Sequence, residues 1–293
     1  MGYLRGDKND DYSDYGLTLE TADETSLYTS KALRAERGIL VAFTTREGGY
    51  SRTPYDSLNL ALHVGDDHAV VIQNREALCV LLGLDASRMT CAEQVHENKV
   101  AVVNESIAGS GAVSLGGAVR GADALVTNLE AVPLALFFAD CVPVVIVEPR
   151  HRIIGMAHAG WRGVHADIVE NTINRMVEDR AVEPADMIAF IGPSIGGCCY
   201  RVGEDLIKKF AEKFSDKEHR LHGGKLDLPA LVYYQLEKAG IERARIFSCE
   251  DSCTSCRNEL FFSYRGDGGV TGRQAAIAAV LPLKDFDPTS DLR

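Results

Sequence analysis

Apolar positions along the chain repeat with two periods, and each period marks a kind of element. GILVAFTTREGGYS from Gly38 reads as a strand running into a Gly-rich turn. VPLALFF (132–138), VPVVIVE (142–148) and RIIGMAH (152–158) are short, β-branched or aromatic, and nearly continuously apolar. Runs of that kind suit strands covered on both faces. MIAFIG (187–192) reads as a further strand. Elsewhere the 3.6-residue period takes over. Val70 to Leu82 is helical, and Ile168, Val169, Thr172, Ile173, Met176 and Val177 share one face of HADIVENTINRMVEDR. Leu206, Phe210 and Phe214 do the same in GEDLIKKFAEKF. Asp227 as N-cap, Pro229 in the first turn and Gly240 at the end punctuate DLPALVYYQLEKAG. GDGGVTG (266–272) reads as a turn, with TGRQ opening a final helix, QAAIAAVL.

The first fifteen residues are acidic and lack an apolar period, so 1–15 is expected to be a mobile tail with order starting at Gly16. No repeat, linker or composition break divides 16–293, which predicts a single domain of mixed α/β type. Composition then narrows the function. A chain with 46% hydrophobic and 25% charged residues is neither disordered nor fibrous. The net charge of -11, with no basic patch, excludes nucleic acid as a general partner. No apolar run nears the roughly 20 residues that span a bilayer, and the N-terminus is too polar for a signal peptide. A cytoplasmic location without membrane association is therefore expected. Monomer and small homo-oligomer are equally compatible with the sequence. Eight cysteines without a secretory signal suggest thiols or metal ligands before disulfides.

Candidate chemistry gathers in ADCVPVVIVEPRHRIIGMAHAGWRG. If the two strands form a hairpin centred between Pro149 and Arg150, Cys141 and His158 lie directly opposite on one face. That spacing leaves three readings open: two ligands of one metal ion, a thiolate-imidazolium pair, or a buried free cysteine beside a satisfied histidine. HAGWRG, with Trp161, Arg162 and two glycines, has the composition of a turn lining a pocket, and Asp140 precedes the cysteine. His96 is a third candidate ligand, ending a possible strand with Gln94 on the same face.

These residues fall within a recognisable pattern. FTTREGGYS (43–51), PYDSLNLALHVGDD (54–67), EQVHENKV (93–100), GADALVTN (121–128), ADCVPVV (139–145), AHAGWRG (157–163), IGPSIGGCCYRVG (191–203) and the stretch from Cys253 through FFSYR to TGRQ occur in this order. The chain so resembles the YfiH-like family, also described as multicopper polyphenol oxidoreductase (laccase), peptidoglycan editing factor or zinc-dependent purine nucleoside phosphorylase. The resemblance implies an α+β fold, a layered α/β sandwich with mixed sheets. It also implies a zinc ion on His96, Cys141 and His158, with copper the less favoured metal. Three protein ligands leave a position open, as catalytic zinc needs. The implied substrates are purine nucleosides and phosphate, with phosphorolysis of adenosine, inosine, guanosine and methylthioadenosine and deamination of adenosine.

For deamination Asp140 is the first candidate acid/base. For phosphate and ribose the candidates are Arg46, Asn59, Arg162 and Arg265, the last lacking the second arginine of many relatives because Gly266 follows it. The main rival is an amide hydrolase of cell-wall precursors, with Cys141 as nucleophile and His158 as base. Copper oxidation is disfavoured, because none of the eight histidines forms a His-x-His pair. CEDSCTSC places Cys249, Cys253 and Cys256 at the C-x3-C-x2-C spacing of cluster enzymes, but its position near the C-terminus argues against a cluster. Cys249 and Cys256 are expected to be incidental thiols, with a small structural metal site that includes Cys198 or Cys199 as the minor alternative.

Overall fold

The computed structural model describes residues 12–178, 182–215, 221–249 and 251–282. In chain order its strands are β1 (Thr18–Ala22), β2 (Thr25–Thr29), β3 (Ile39–Thr44), β4 (Thr90–Cys91), β5 (Val100–Val102), β6 (Ala124–Thr127), β7 (Leu134–Phe138), β8 (Val142–Glu148), β9 (Ile153–Ala159), β10 (Ile188–Ile191), β11 (Ile246–Ser248) and β12 (Gln274–Val280). The helices are α1 (Lys31–Arg37), α2 (His68–Leu82), α3 (Trp161–His165), α4 (Ile168–Val177), α5 (Glu204–Lys213) and α6 (Leu228–Lys238). The strands make two mixed sheets, ordered β1-β2-β3-β12-β7-β4 and β11-β10-β8-β9-β6-β5.

The two-residue period of each central strand decides how the sheets stack. Phe43, Leu136, Phe138, Ala276 and Ala278 of the first sheet meet Val145, Val147, Ile154, Met156 and Phe190 of the second in the middle core. The alternate residues face outward but stay covered. Leu40, Ala42, Phe137 and Ile277 pack under α2 through Leu78 and Leu82. Val144, Ile146, Ala157 and Ala189 pack under α4 and α6 through Ile173, Met176, Leu231 and Val232. The outcome is the expected α/β sandwich, helix over sheet over sheet over helix.

β8, β10, α2 and α6 follow the apolar pattern closely, and Asp227 caps α6 by accepting from the Ala230 N–H at 3.1 Å. Three expectations change. QAAIAAVL is a strand: β12 lies between β3 and β7 in the first sheet and is buried throughout. Alanine favours a helix in isolation, but ladder pairing on both edges and two covered faces outweigh a preference worth tenths of a kcal/mol per residue. HAGWRG supplies a helical turn, α3, separated from α4 by Asp167 in left-handed backbone with φ 60°. The packed chain also begins before Gly16. Tyr12 and Tyr15 are buried, their rings 5.4 Å apart edge to face, and the Tyr15 hydroxyl donates to Glu36 at 2.7 Å. Two aromatics three residues apart anchor one turn despite their acidic surroundings. Residues 1–11 of the expected tail lie outside the described residues.

Candidate metal centre

The β8-β9 hairpin turns one residue later than expected. Glu148 pairs with Ile153 and Pro143 with His158, which centres the reversal between Arg150 and His151. The Glu148 carboxylate holds this four-residue loop by accepting the N–H groups of Arg150 (3.2 Å) and His151 (2.7 Å). Moving the centre by one residue moves each partner by two, and an even shift keeps every side chain on its face. Cys141 is therefore the diagonal neighbour of His158, not its direct partner. Continuing the register brings Gly160 opposite Cys141, where a side chain would crowd the site. A Cβ on Gly160 would lie 3.0 Å from the Cys141 Sγ and 3.3 Å from the His96 Cδ2.

His96 does not end a strand. β4 stops at Cys91, and Gln94 (φ 60°) and His96 (φ 64°) both occupy left-handed backbone. Side chains hold that conformation. The Gln94 amide exchanges two hydrogen bonds with the backbone of Phe137, at 2.8 and 2.9 Å. Asp123, wholly buried before β6, accepts the backbone N–H groups of Val95, His96 and Glu97 at 2.9 to 3.0 Å. The same carboxylate meets the His158 Nδ1 at 2.8 Å, so one side chain shapes the His96 loop and orients the His158 ring. With Nδ1 so engaged, His158 presents Nε2 to the site. The ligand atoms of His96, Cys141 and His158 then all lie within 4.8 Å of one another.

Electrostatics reinforce this. Burial alone would raise the Cys141 thiol, but the His158 charge and hydrogen bonds from His158 and His96 outweigh it and the thiol falls well below its ordinary value. Burial disfavours the charged His158, yet the Cys141 thiolate and Asp123 raise it above the ordinary imidazole. Burial also works against the Asp123 carboxylate, and the His158 and backbone hydrogen bonds bring it below the usual range. Two imidazoles and a ready thiolate make a borderline-soft donor set that fits zinc. No fourth cysteine, histidine or carboxylate joins the group among the described residues.

His96, Cys141 and His158 line a cavity of about 460 Å³, together with Arg162, Arg265, Arg273, Tyr200 and Tyr264. Each arginine rests against a ring: Arg162 on Trp161 (4.4 Å), Arg265 on Tyr200 (5.2 Å) and Arg273 on Tyr264 (5.7 Å). Of the residues expected at the site, Arg162, Arg265 and Asp140 reach the cavity. Arg46 and Asn59 do not line it. Arg46 is taken up by the carbonyls of Asp56 and Asn258 and by the Phe262 ring. Asn59 is fully buried and binds Asp66 and the Arg273 N–H.

Asp140, in left-handed backbone (φ 89°), accepts from the Thr254 and Ser263 hydroxyls at 2.7 and 2.6 Å and from the Arg265 N–H at 2.7 Å. Both of its oxygens thus organise the loop carrying Arg265. Asp123 and Arg273 were not singled out from the sequence. The available signal for Asp123 was a lone carboxylate leading into the apolar run ALVT, a charge that must find partners once buried.

Comparisons with known proteins identify the family. A family model described as "Multi-copper polyphenol oxidoreductase laccase" matches residues 40–281. The purine nucleoside phosphorylase YlmD of Geobacillus stearothermophilus is 39% identical over 246 residues, 82% of this chain and 89% of that protein. Its namesake in Bacillus subtilis is 35% identical over 244 residues, 82% and 87% of the two chains. The crystal structure of YlmD from Geobacillus stearothermophilus matches with a TM-score of 0.83 at 36% identity, covering 90% of this chain and 99% of that one.

Proposed function

The chain belongs to the multi-copper polyphenol oxidoreductase laccase family, and from that premise we propose that it is a zinc-dependent purine nucleoside phosphorylase that also deaminates adenosine. The observation that carries this reading is one cavity lined on one side by His96, Cys141 and His158 and elsewhere by three ring-braced arginines. His96, Cys141 and His158 would hold the zinc, which when bound supplies Lewis-acid polarisation of a substrate atom.

The other groups bind, orient and stabilise charge. Arg162, Arg265 and Arg273 offer fixed guanidinium forks suited to phosphate, and their stacking on aromatic rings limits the entropy lost on binding. Tyr200 and Tyr264 give aromatic surface for a flat base. Burial, with the Cys141 thiolate adding to it, pushes the Tyr200 hydroxyl up to about 12, so it keeps its proton and can donate to negative charge growing on the departing base. Phosphorolysis asks for this combination: an anion cradle and a donor for the leaving group. Adenosine, inosine, guanosine and methylthioadenosine share the purine and ribose that these groups would meet.

Copper oxidation draws no support from the donor set. The two groups of potential metal ligands among the described residues contain only two histidines, His96 and His158, where multicopper chemistry needs many. A second reading rests on a specific observation: Cys141, His158 and Asp123 are linked in the order nucleophile, base and orienting carboxylate. Without metal that arrangement would serve a cysteine amidase acting on cell-wall precursors.

Product analysis separates the two. Purified protein is given adenosine or inosine with phosphate, with and without chelator, beside Cys141→Ala, and products are identified by mass spectrometry. The expected outcome is free base and ribose-1-phosphate, with inosine from adenosine, all lost with chelator and with the variant. Activity on amides that appears or rises after chelation supports the amidase instead, because a zinc-bound thiolate is a poor nucleophile.

A further inference from the structure

Four of the eight cysteines meet outside the site just described. β10 and β11 run parallel as neighbours, with Ile191 beside Ser248, so the segments that follow them leave the same end of the sheet. One carries Cys198 and Cys199, the other Cys253 and Cys256. The two segments stay joined: Ser194 and Cys253 form a bridge, and the Thr254 N–H donates to the Ser194 carbonyl at 3.1 Å. Cys249, the first cysteine of CEDSCTSC, departs from the group and is buried in the middle core. The expectation that Cys256 is an incidental thiol therefore fails, because a C-x2-C turn faces a Cys-Cys pair from another loop.

The sulfur atoms lie 3.4 Å (Cys198 to Cys253), 3.6 Å (Cys198 to Cys256) and 3.3 Å (Cys199 to Cys256) apart, and all four fall within 4.8 Å of one another. Four thiolates around zinc at about 2.3 Å form a tetrahedron with edges of about 3.8 Å. Those three separations fall just below that value, and the remaining ones stay within 4.8 Å. An iron-sulfur cluster places its own irons and sulfides between the thiolates and needs a wider ring of sulfurs. We infer that Cys198, Cys199, Cys253 and Cys256 form a second zinc site, a closed tetrathiolate separate from His96, Cys141 and His158.

The surroundings are built for such an ion. The backbone N–H groups of Gly196 and Cys256 are directed at the Cys253 sulfur, the former at 3.3 Å, which suits a thiolate. A Cβ on Gly196 would come within 3.2 Å of the Cys198 Sγ, so a side chain there would crowd the sulfurs. Lys225 donates to the Cys198 carbonyl at 2.6 Å and brings a cation beside a site whose four thiolates exceed the charge of one zinc. Cys198 and Cys256 are exposed, so the ion can load from solvent. With four protein ligands there is no open position, and the role is structural. The site fastens the two segments that serve the cavity: Thr254 holds Asp140, Tyr200 lines the cavity, and the Arg201 carbonyl accepts from the Arg265 guanidinium at 2.7 Å.

Metal analysis of the full chain, purified with reductant and zinc, tests this independently of any activity. Two zinc ions per chain are expected in the wild type, one in Cys256→Ser and one in Cys141→Ser. Should Cys256→Ser fail to fold, Cys141→Ser loaded with cobalt decides, since four thiolates give an intense thiolate-to-cobalt charge-transfer band. Zinc that stays at the wild-type content in folded Cys256→Ser overturns the inference. So does Cys141→Ser protein without metal or without that band. An intact mass four hydrogens light, with the four cysteines recovered as two disulfides, overturns it as well.

Discussion

The two cysteine-bearing clusters differ in how the chain gathers them. His96, Cys141 and His158 are brought together by strand register and by one buried carboxylate, Asp123, which binds three backbone N–H groups and an imidazole. Cys198, Cys199, Cys253 and Cys256 are brought together by two loops joined through backbone hydrogen bonds, with two of the four thiols exposed. The first arrangement is costly, since it desolvates charged groups, and it leaves the ligand set incomplete beside a cavity lined with arginines. The second desolvates little and is complete. A protein gains chemistry from the first kind of cluster and rigidity from the second.

The strongest way to break this comparison is Cys141→Ser. Turnover of purine nucleosides should fall to the assay background while one zinc per chain remains, as turnover and metal content measured on one preparation will show. Turnover within tenfold of wild type would mean that the buried cluster is not the reacting one. Asp123→Asn comes next. The amide no longer offers the acceptor pair that orients His158 and the His96 loop, and loss of such an outer partner typically costs about 10- to 100-fold in metal affinity or activity. Competition against a graded series of chelators should show the loss at one zinc only. An equal loss at both would mean that Asp123 supports the fold generally.

How much of this was legible in the sequence depends on whether a residue's role is local. β8, β10, α2 and α6 were readable because period and capping are properties of adjacent residues. The pairing of Cys141 with His158 was readable in kind, since any even slip of the hairpin keeps both on one face, although the register itself was off by two. β12 was not readable: its alanines take their conformation from β3 and β7, which are distant in sequence. Asp123 was hidden for the same reason, the convergence of Cys199 with Cys256 was visible only as the minor alternative, and Arg46 and Asn59 lie away from the cavity. Each of these polar side chains is accounted for by partners supplied through the fold, and one charged or amide residue in a string does not reveal whether its partner is substrate or backbone.

The smallest expected effect is also the sharpest contrast between the clusters. In chelator-treated protein the Cys141 thiol is opposed by burial but held well below its ordinary value by His158 and His96, whereas burial and its cysteine neighbours raise Cys198. A lowered value means that the thiolate persists to lower pH, so alkylation of Cys141 should level off by neutrality while that of Cys198 still climbs above pH 9. The rate ratio at pH 7 is expected to be only several-fold, because a thiolate of low pKa is a weaker nucleophile and Cys141 is the less accessible of the two. Peptide mapping after a short pulse of iodoacetamide at a series of pH values reads both sites at once. Parallel climbs for the two cysteines would mean that the imidazoles do not act on Cys141, and the distinction between a prepared thiolate and a merely clustered one would be lost.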